Sequence, residues 1–250
     1  MEWYIYPAVV GIGFVTGFIN TLSGGGSALS LPMLIFAGLP PNVANGTNRI
    51  GILMQSLVST AQFKKDKILD LKDSMWQVLP ALAGSIPGAI FAVSINEELM
   101  KKVIGVVLVI MLFITIFKPE IWVKERAGLV KSKSSWVNIL TFFLIGAYGG
   151  FIQVGVGFFL LAGLVLVNGM NLLKSNGIKN LIVFLYTPLT LLVFIISGQI
   201  NYIMGITLAA GSMAGAWLAA KTAVKWGPGF VRYVLLAGLL ISSAKLFGLF

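Results

Sequence analysis

The chain has 250 residues, 58% hydrophobic and 10% charged, with 18 Lys and Arg against 8 Asp and Glu, a formal net charge of +10, and neither Cys nor His. That balance excludes a water-soluble globule, and the length holds at most about eight to ten membrane-spanning segments of roughly 20 residues each. Without Cys or His there are no disulfides, no thiol or imidazole nucleophiles and none of the usual transition-metal sites.

In chain order, apolar segments lie near residues 5–22, 27–39, 44–63, 75–94, 99–117, 136–152, 156–168, 175–197, 201–220 and 229–249. The opening MEWYIY lacks a basic n-region and runs straight into the first segment, so no cleaved signal peptide is expected. Segments 27–39 and 156–168 are too short to span: about 13 residues give roughly 20 Å of helix, against a hydrocarbon core of roughly 30 Å. Each is therefore expected to be half of a broken or re-entrant pair. Each follows a glycine-rich break, Ser23-Gly24-Gly25-Gly26 in one case and Gly155-Val156-Gly157 in the other.

The two surroundings form an internal repeat. A slide of 131 residues places Gly24 on Gly155, Gly26 on Gly157, Gly38 on Gly169 and Asn45-Gly46 on Asn176-Gly177. Upstream, after a gap of two, Gly13 to Ile19 aligns with Gly146 to Ile152. The expected organisation is a first transmembrane repeat over 1–117, a polar cytoplasmic linker over 118–133 and a second repeat over 134–250. Loops 64–73, 118–133 and 221–232 carry 12 of the 18 basic residues, and the turns near 94–98 and 197–201 carry none. Because cytoplasmic loops hold Lys and Arg, and the basic loop of one half corresponds to the neutral turn of the other, the repeats are expected to be inverted, with both termini outside. This holds where each short segment and its predecessor make a hairpin or two crossings, and fails where the pair makes one. Tryptophans 76, 122, 136 and 226 fall at segment ends, where interfacial anchors belong. The fold class is thus an all-α polytopic membrane protein of two inverted repeats, each with a broken or re-entrant helix pair plus three transmembrane helices. The lipid bilayer is its surroundings; the basic charge is explained by topology and calls for no nucleic acid.

Inverted repeats with interrupted helices are the pattern of secondary transporters, whose site lies near the midplane where unwound backbone and half-helix ends converge. Gly24, Gly25 and Gly26 would expose backbone N–H groups at the start of the first half-helix, a ready anion site, and Gly155 and Gly157 would do the same in the second half. The alternative is close helix packing alone, as for Gly84 with Gly88 or Gly211 with Gly215. A second polar cluster opens the following helices, Asn45, Thr47, Asn48 and Arg49 in one half and Asn176, Lys179 and Asn180 in the other. With Asn20, Ser23, Ser27 and Gln153 these form a polar set in apolar surroundings, which in a membrane needs partners or a water-filled cavity. Arg49 and Lys179 are the cations placed near the centre; for both, snorkelling to headgroups or capping of carbonyls is the competing reading. All eight acids, Glu2, Asp66, Asp70, Asp73, Glu97, Glu98, Glu120 and Glu125, are placed in loops or a terminus. The site is therefore expected to be neutral to positive and to favour an anion. For a monovalent anion leaving an inside-negative cell the potential supplies about 2.3 kcal/mol per 100 mV, enough to drive export without a coupled ion.

An intramembrane enzyme fits poorly. A serine–histidine pair is impossible, a metal site lacks ligands, and an aspartyl dyad needs two buried carboxylates. No cofactor and no metal are expected.

The stretch from Gly17 to Ser27, Gly-Phe-Ile-Asn-Thr-Leu-Ser-Gly-Gly-Gly-Ser, and that from Gly38 to Arg49, Gly-Leu-Pro-Pro-Asn-Val-Ala-Asn-Gly-Thr-Asn-Arg, closely resemble the first repeat of the sulfite exporter TauE/SafE family, also called the toluene sulfonate uptake permease family. Tyr148 to Gly157 and Ser197-Gly198-Gln199-Ile200 resemble that family's later motifs, so the resemblance covers nearly the whole chain. The second break lacks the middle glycine of the first. The resemblance implies a plasma- or inner-membrane carrier for sulfite, sulfonates such as sulfoacetate, or a related sulfur-containing organic anion. From the site itself, a transporter for a small oxyanion or organosulfur substrate is expected, and an importer or passive anion channel using the same site is the alternative. A monomer and a homodimer are both compatible with its small-residue helix faces.

Overall fold

A computed structural model describes residues 3–69, 71–117 and 136–222. The linker 118–133, most of loop 221–232, the segment 229–249 and the tryptophans at 122 and 226 lie outside the described residues. Within them the chain is helical throughout: α1 Ile5–Leu22, α2 Ser27–Phe36, α3 Pro41–Lys65, α4 Leu71–Ser94, α5 Glu97–Phe117, α6 Trp136–Phe151, α7 Val156–Ala162 with a π-helical continuation Gly163–Val167, α8 Leu172–Ile196 and α9 Tyr202–Thr222. Four stretches are long and apolar enough to cross a membrane: α1, Ser74–Ser94 of α4, α8 and α9. α3 matches α8 in length at 25 residues, but its middle is polar and faces protein. Leu79, Ile90, Phe91, Val106, Phe113, Leu144, Ile196, Ile203 and Ile206 point outward, a surface that suits lipid and would be a liability in water. The chain is a multi-pass membrane protein.

The short elements are shorter than their apolar segments suggest. α2 has 10 residues, about 15 Å of helix, because Gly38 at φ +94° ends it and the Leu39 N–H returns to the Leu34 carbonyl. That left-handed stop is the usual way to satisfy the last carbonyls of a helix. Pro41, with no N–H to lose, then opens α3. The same stop closes α3 at Lys67 (φ 58°), where the Ile68 N–H meets the Phe63 carbonyl, and α8 at Gly198 (φ 67°), where the Gln199 N–H meets the Phe194 carbonyl. Among the described residues, those with positive φ are 24 and 155, 38 and 169, 67 and 198, each pair 131 apart. Helix starts at 41 and 172 and at 71 and 202 keep the same spacing. The repeat seen in the sequence is therefore also present in the backbone.

Two boundary expectations need correction. Lys64 and Lys65 sit in the last turn of α3 rather than in a loop, where cations favour the negative helix end. Glu97 and Glu98 likewise sit in the first turn of α5, at a helix start where a carboxylate is favoured.

Packing pairs α1 with α9 and α4 with α6, and places α3 and α8 together between them. Glycines set the first two crossings. A Cβ on Gly13 or Gly17 would strike the α9 backbone at Leu208 and Ser212, and one on Gly211 or Gly215 would strike α1 at Val10 and Phe14. Gly84 and Gly88 meet α6 at Phe143 and Ala147, and Gly146 and Gly150 meet α4 at Ala81 and Ser85. Backbones approach this closely only where small residues recur every four positions. At the centre α3 and α8 run antiparallel: Gly46 lies by Phe194, Arg49 by Thr190, Ser59 by Asn180, and Phe63 by Gly177.

Candidate functional site

The first break is a closed turn. Gly24 leaves α1 at φ +86° and its N–H returns to the Ile19 carbonyl. Gly26 then lies against the backbone of Thr16, whose hydroxyl donates to the Gly26 carbonyl at 3.3 Å, so α2 packs back along α1. Gly26 offers no side chain to cap α2, and Asn20 takes over that role: its Oδ1 accepts from the Ser27 N–H at 3.3 Å and its Nδ2 donates to Ser27 Oγ at 3.2 Å. Ser23 caps backward, donating to the Ile19 carbonyl at 3.1 Å. At the second break Gly155 adopts φ +74°, its Cα facing the Met111 side chain. The Tyr148 hydroxyl holds this turn by donating to the Val154 carbonyl at 2.7 Å. The two breaks touch. A Cβ on Gly24 would meet the Gly157 backbone, and one on Gly157 would meet Gly24.

Both interior cations are fully buried and cap helix ends of the opposite half. Lys179 on α8 donates to the Asn20 and Thr21 carbonyls of α1 at 2.8 and 2.9 Å and to Asn176 Oδ1 at 2.9 Å, which uses all three of its protons. Arg49 on α3 donates to the Gly150 carbonyl of α6 at 2.6 Å, to those of Gly149 and Phe151 at 3.3 and 3.5 Å, to Thr190 Oγ1 at 2.9 Å and to Gln153 Oε1 at 3.4 Å. Its guanidinium also lies 4.5 Å from the centre of the Phe194 ring. The last carbonyls of a broken helix have no partners of their own and carry the negative end of its dipole, so a cation from the next helix is a natural cap. Neither cation has a carboxylate partner among the described residues.

A cavity enclosing ≈ 280 Å³ of empty space, its mouth included, lies where the breaks meet α3 and α8. Of the residues singled out from the sequence, Asn20, Gly24, Ser27, Gln153, Gly157, Lys179 and Asn180 line it. The others stand behind. Asn45 donates to the Phe151 carbonyl at 2.9 Å, Thr47 Oγ1 accepts from the N–H of Asn201, Asn48 Oδ1 accepts from Ser30, and Asn176 orients Lys179. Arg49, Ser23, Gly25, Gly26 and Gly155 do not line the cavity either.

Sequence reading missed Ile52, Gln55, Val156 and Val183 of the lining. Gln55 had a legible signal: Asn48, Gln55 and Ser59 fall on one helix face, polar side chains inside a segment long enough to span. Among the described residues the lining holds one cation, four amide side chains and a hydroxyl, with no carboxylate. That chemistry attracts an anion and offers it hydrogen-bond donors. Among the described residues no three His, Cys, Asp or Glu come together, so none is assigned to a metal.

Residues 9–246 match the family model described as sulfite exporter TauE/SafE. The chain is similar to a probable membrane transporter protein of Haemophilus influenzae, 27% identical over 237 residues that cover 94% of this chain and 91% of that one. It is also similar to the probable membrane transporter protein YfcA of Escherichia coli (24% identical; 97% and 91% covered) and to YjnA of Bacillus subtilis, named likewise (22% identical; 96% and 98% covered). No solved structure gives a significant match.

Proposed function

Since the chain belongs to the sulfite exporter TauE/SafE family, we propose that it is a secondary carrier in the plasma (inner) membrane that exports sulfite or a related small sulfur-containing anion, such as a sulfonate or sulfoacetate. The observation that carries this reading is the cavity: both helix breaks border it, Lys179 supplies positive charge, Asn20, Ser27, Gln55, Gln153 and Asn180 supply polar contacts, and no carboxylate among the described residues opposes an anion. Polar groups held inside a membrane protein mark ion and substrate pathways. A carrier of this kind has two inverted repeats around a midplane site, and the antiparallel contact of α3 with α8, helices 131 residues apart in start and end, supports that arrangement. In it the basic loops and the linker 118–133 face the cytoplasm and both termini face outward. Export then follows the membrane potential, about 2.3 kcal/mol per 100 mV for each negative charge.

The test is flux of labelled sulfite, sulfate, thiosulfate and a small sulfonate in proteoliposomes, with an imposed potential and with the potential collapsed. The reading expects one sulfur anion to move saturably and to follow the potential. Flux of none of them from vesicles holding folded protein overturns it, and flux that demands a sodium or proton gradient overturns the uncoupled mechanism.

A further inference from the structure

Gln153 is 1% exposed and lines the cavity, yet its Nε2 has no hydrogen-bond partner among the described residues. A buried amide left half-paired is uncommon enough to need a reason. The orientation of this amide is set from behind. Arg49 Nη1 donates to Gln153 Oε1 at 3.4 Å, and the Tyr186 hydroxyl donates to the same oxygen at 3.4 Å. A guanidinium has only donors, so the carbonyl end of Gln153 must face Arg49 and the NH2 end must face away. Arg49 is itself held by the carbonyls of Gly149 and Gly150 and by Thr190. Tyr186 fits because Gly149 has no side chain; a Cβ there would lie 2.9 Å from the Tyr186 hydroxyl. Lys179 has already committed its three protons to Asn20, Thr21 and Asn176, so its charge reaches the cavity as a field rather than as a free donor.

We propose that Gln153 Nε2 is the donor that grips an oxygen of the transported anion, and that Arg49 and Tyr186 are positioning residues that lock the amide in its donating orientation. This rests on the anion-carrier reading above. Arg49 then influences binding without touching substrate, and the site reads its ligand by a neutral hydrogen bond within the field of two buried cations, Lys179 on the lining and Arg49 behind Gln153.

The experiment measures half-saturating sulfite concentration and maximal rate in proteoliposomes, beside the unfolding temperature in detergent. Gln153→Glu keeps the shape and the contact with Arg49 but turns an oxygen toward the anion, so half-saturation is expected to rise at least tenfold without loss of thermal stability. Tyr186→Phe is expected to raise half-saturation two- to fivefold with an unchanged maximal rate, and to add nothing in a Gln153→Ala background. Unchanged half-saturation in Gln153→Glu overturns the donor assignment. Full additivity of Tyr186→Phe with Gln153→Ala overturns the positioning role, because independent groups add and coupled ones do not. A wild type that moves no sulfite refutes the underlying carrier reading for sulfite instead, so the two failures are distinguishable.

Discussion

Single glycines at the breaks are held to different standards by their neighbours. Gly24 and Gly38 both have positive φ, but a Cβ on Gly24 would enter the Gly157 backbone while one on Gly38 would meet nothing within 4 Å among the described residues. Gly38→Ala should therefore cost only the left-handed strain, about 1–2 kcal/mol, and leave transport intact. Gly24→Ala should lower the unfolding temperature further, because its methyl would also have to displace the Gly157 backbone; equal shifts for the pair would contradict the contact. Arg49 makes a second residue-scale case. Arg49→Ala strips the α6 carbonyls of their cap, and each buried carbonyl left unsatisfied costs about 1–3 kcal/mol, so thermal unfolding should show a marked loss of stability alongside any loss of flux. The sequence made Arg49 and Lys179 legible as interior cations, since charge in an apolar run is conspicuous. It could not say which carbonyls they serve, because Gly149 and Gly150 lie about a hundred residues from Arg49 and only the fold brings them together.

Glycine spacing within the helices decides how elements cross. Gly150 presses on the α4 backbone at Ser85, whereas Gly11 has nothing within 4 Å among the described residues. Gly150→Leu should prevent α4 and α6 from packing and lower the yield of monodisperse protein, and Gly11→Leu should change neither yield nor unfolding temperature. The antiparallel register of α3 and α8 has its own test. The chain contains no cysteine, so Ser59→Cys with Asn180→Cys gives a clean pair at a point where the native side chains are 3.0 Å apart. That pair should cross-link in membranes and Ser59→Cys with Thr190→Cys should not; the reverse would rule out the register. At this scale the sequence was most informative about breaks and repeats, because Gly24, Gly38, Gly155 and Gly169 are needed for backbone angles that other residues adopt at a cost. It was least informative at helix ends, where Lys64 and Lys65 extend α3 beyond its apolar run, and at the π-helical turn Gly163–Val167, which no residue pattern announces.

For the whole molecule, the topology proposed from loop charge and the two halves has a direct test. Asn96 in the neutral turn and Lys64 at the basic end of α3 are both exposed, so an impermeant thiol reagent can distinguish their sides. In intact cells Asn96→Cys should be labelled and Lys64→Cys should react only after permeabilisation; labelling of both from outside would refute the inverted arrangement. The polar set was legible in outline because buried amides stand out in a membrane chain. Its division into lining and support was not, since Asn45 and Thr47 lie on the same helix as Gln55 and only packing sends them to Phe151 and Asn201 instead of the cavity. The central claim is that an electropositive cavity between two broken helices carries a small anion across the membrane. It is tested most directly by recording charge movement when sulfite is applied to proteoliposomes adsorbed on a sensor electrode, for the wild type and for Lys179→Met, which keeps an apolar chain and removes the charge. The account predicts a saturable movement of negative charge into wild-type vesicles and its loss in folded Lys179→Met. Equal charge movement in the two proteins, or none in the wild type, would contradict it.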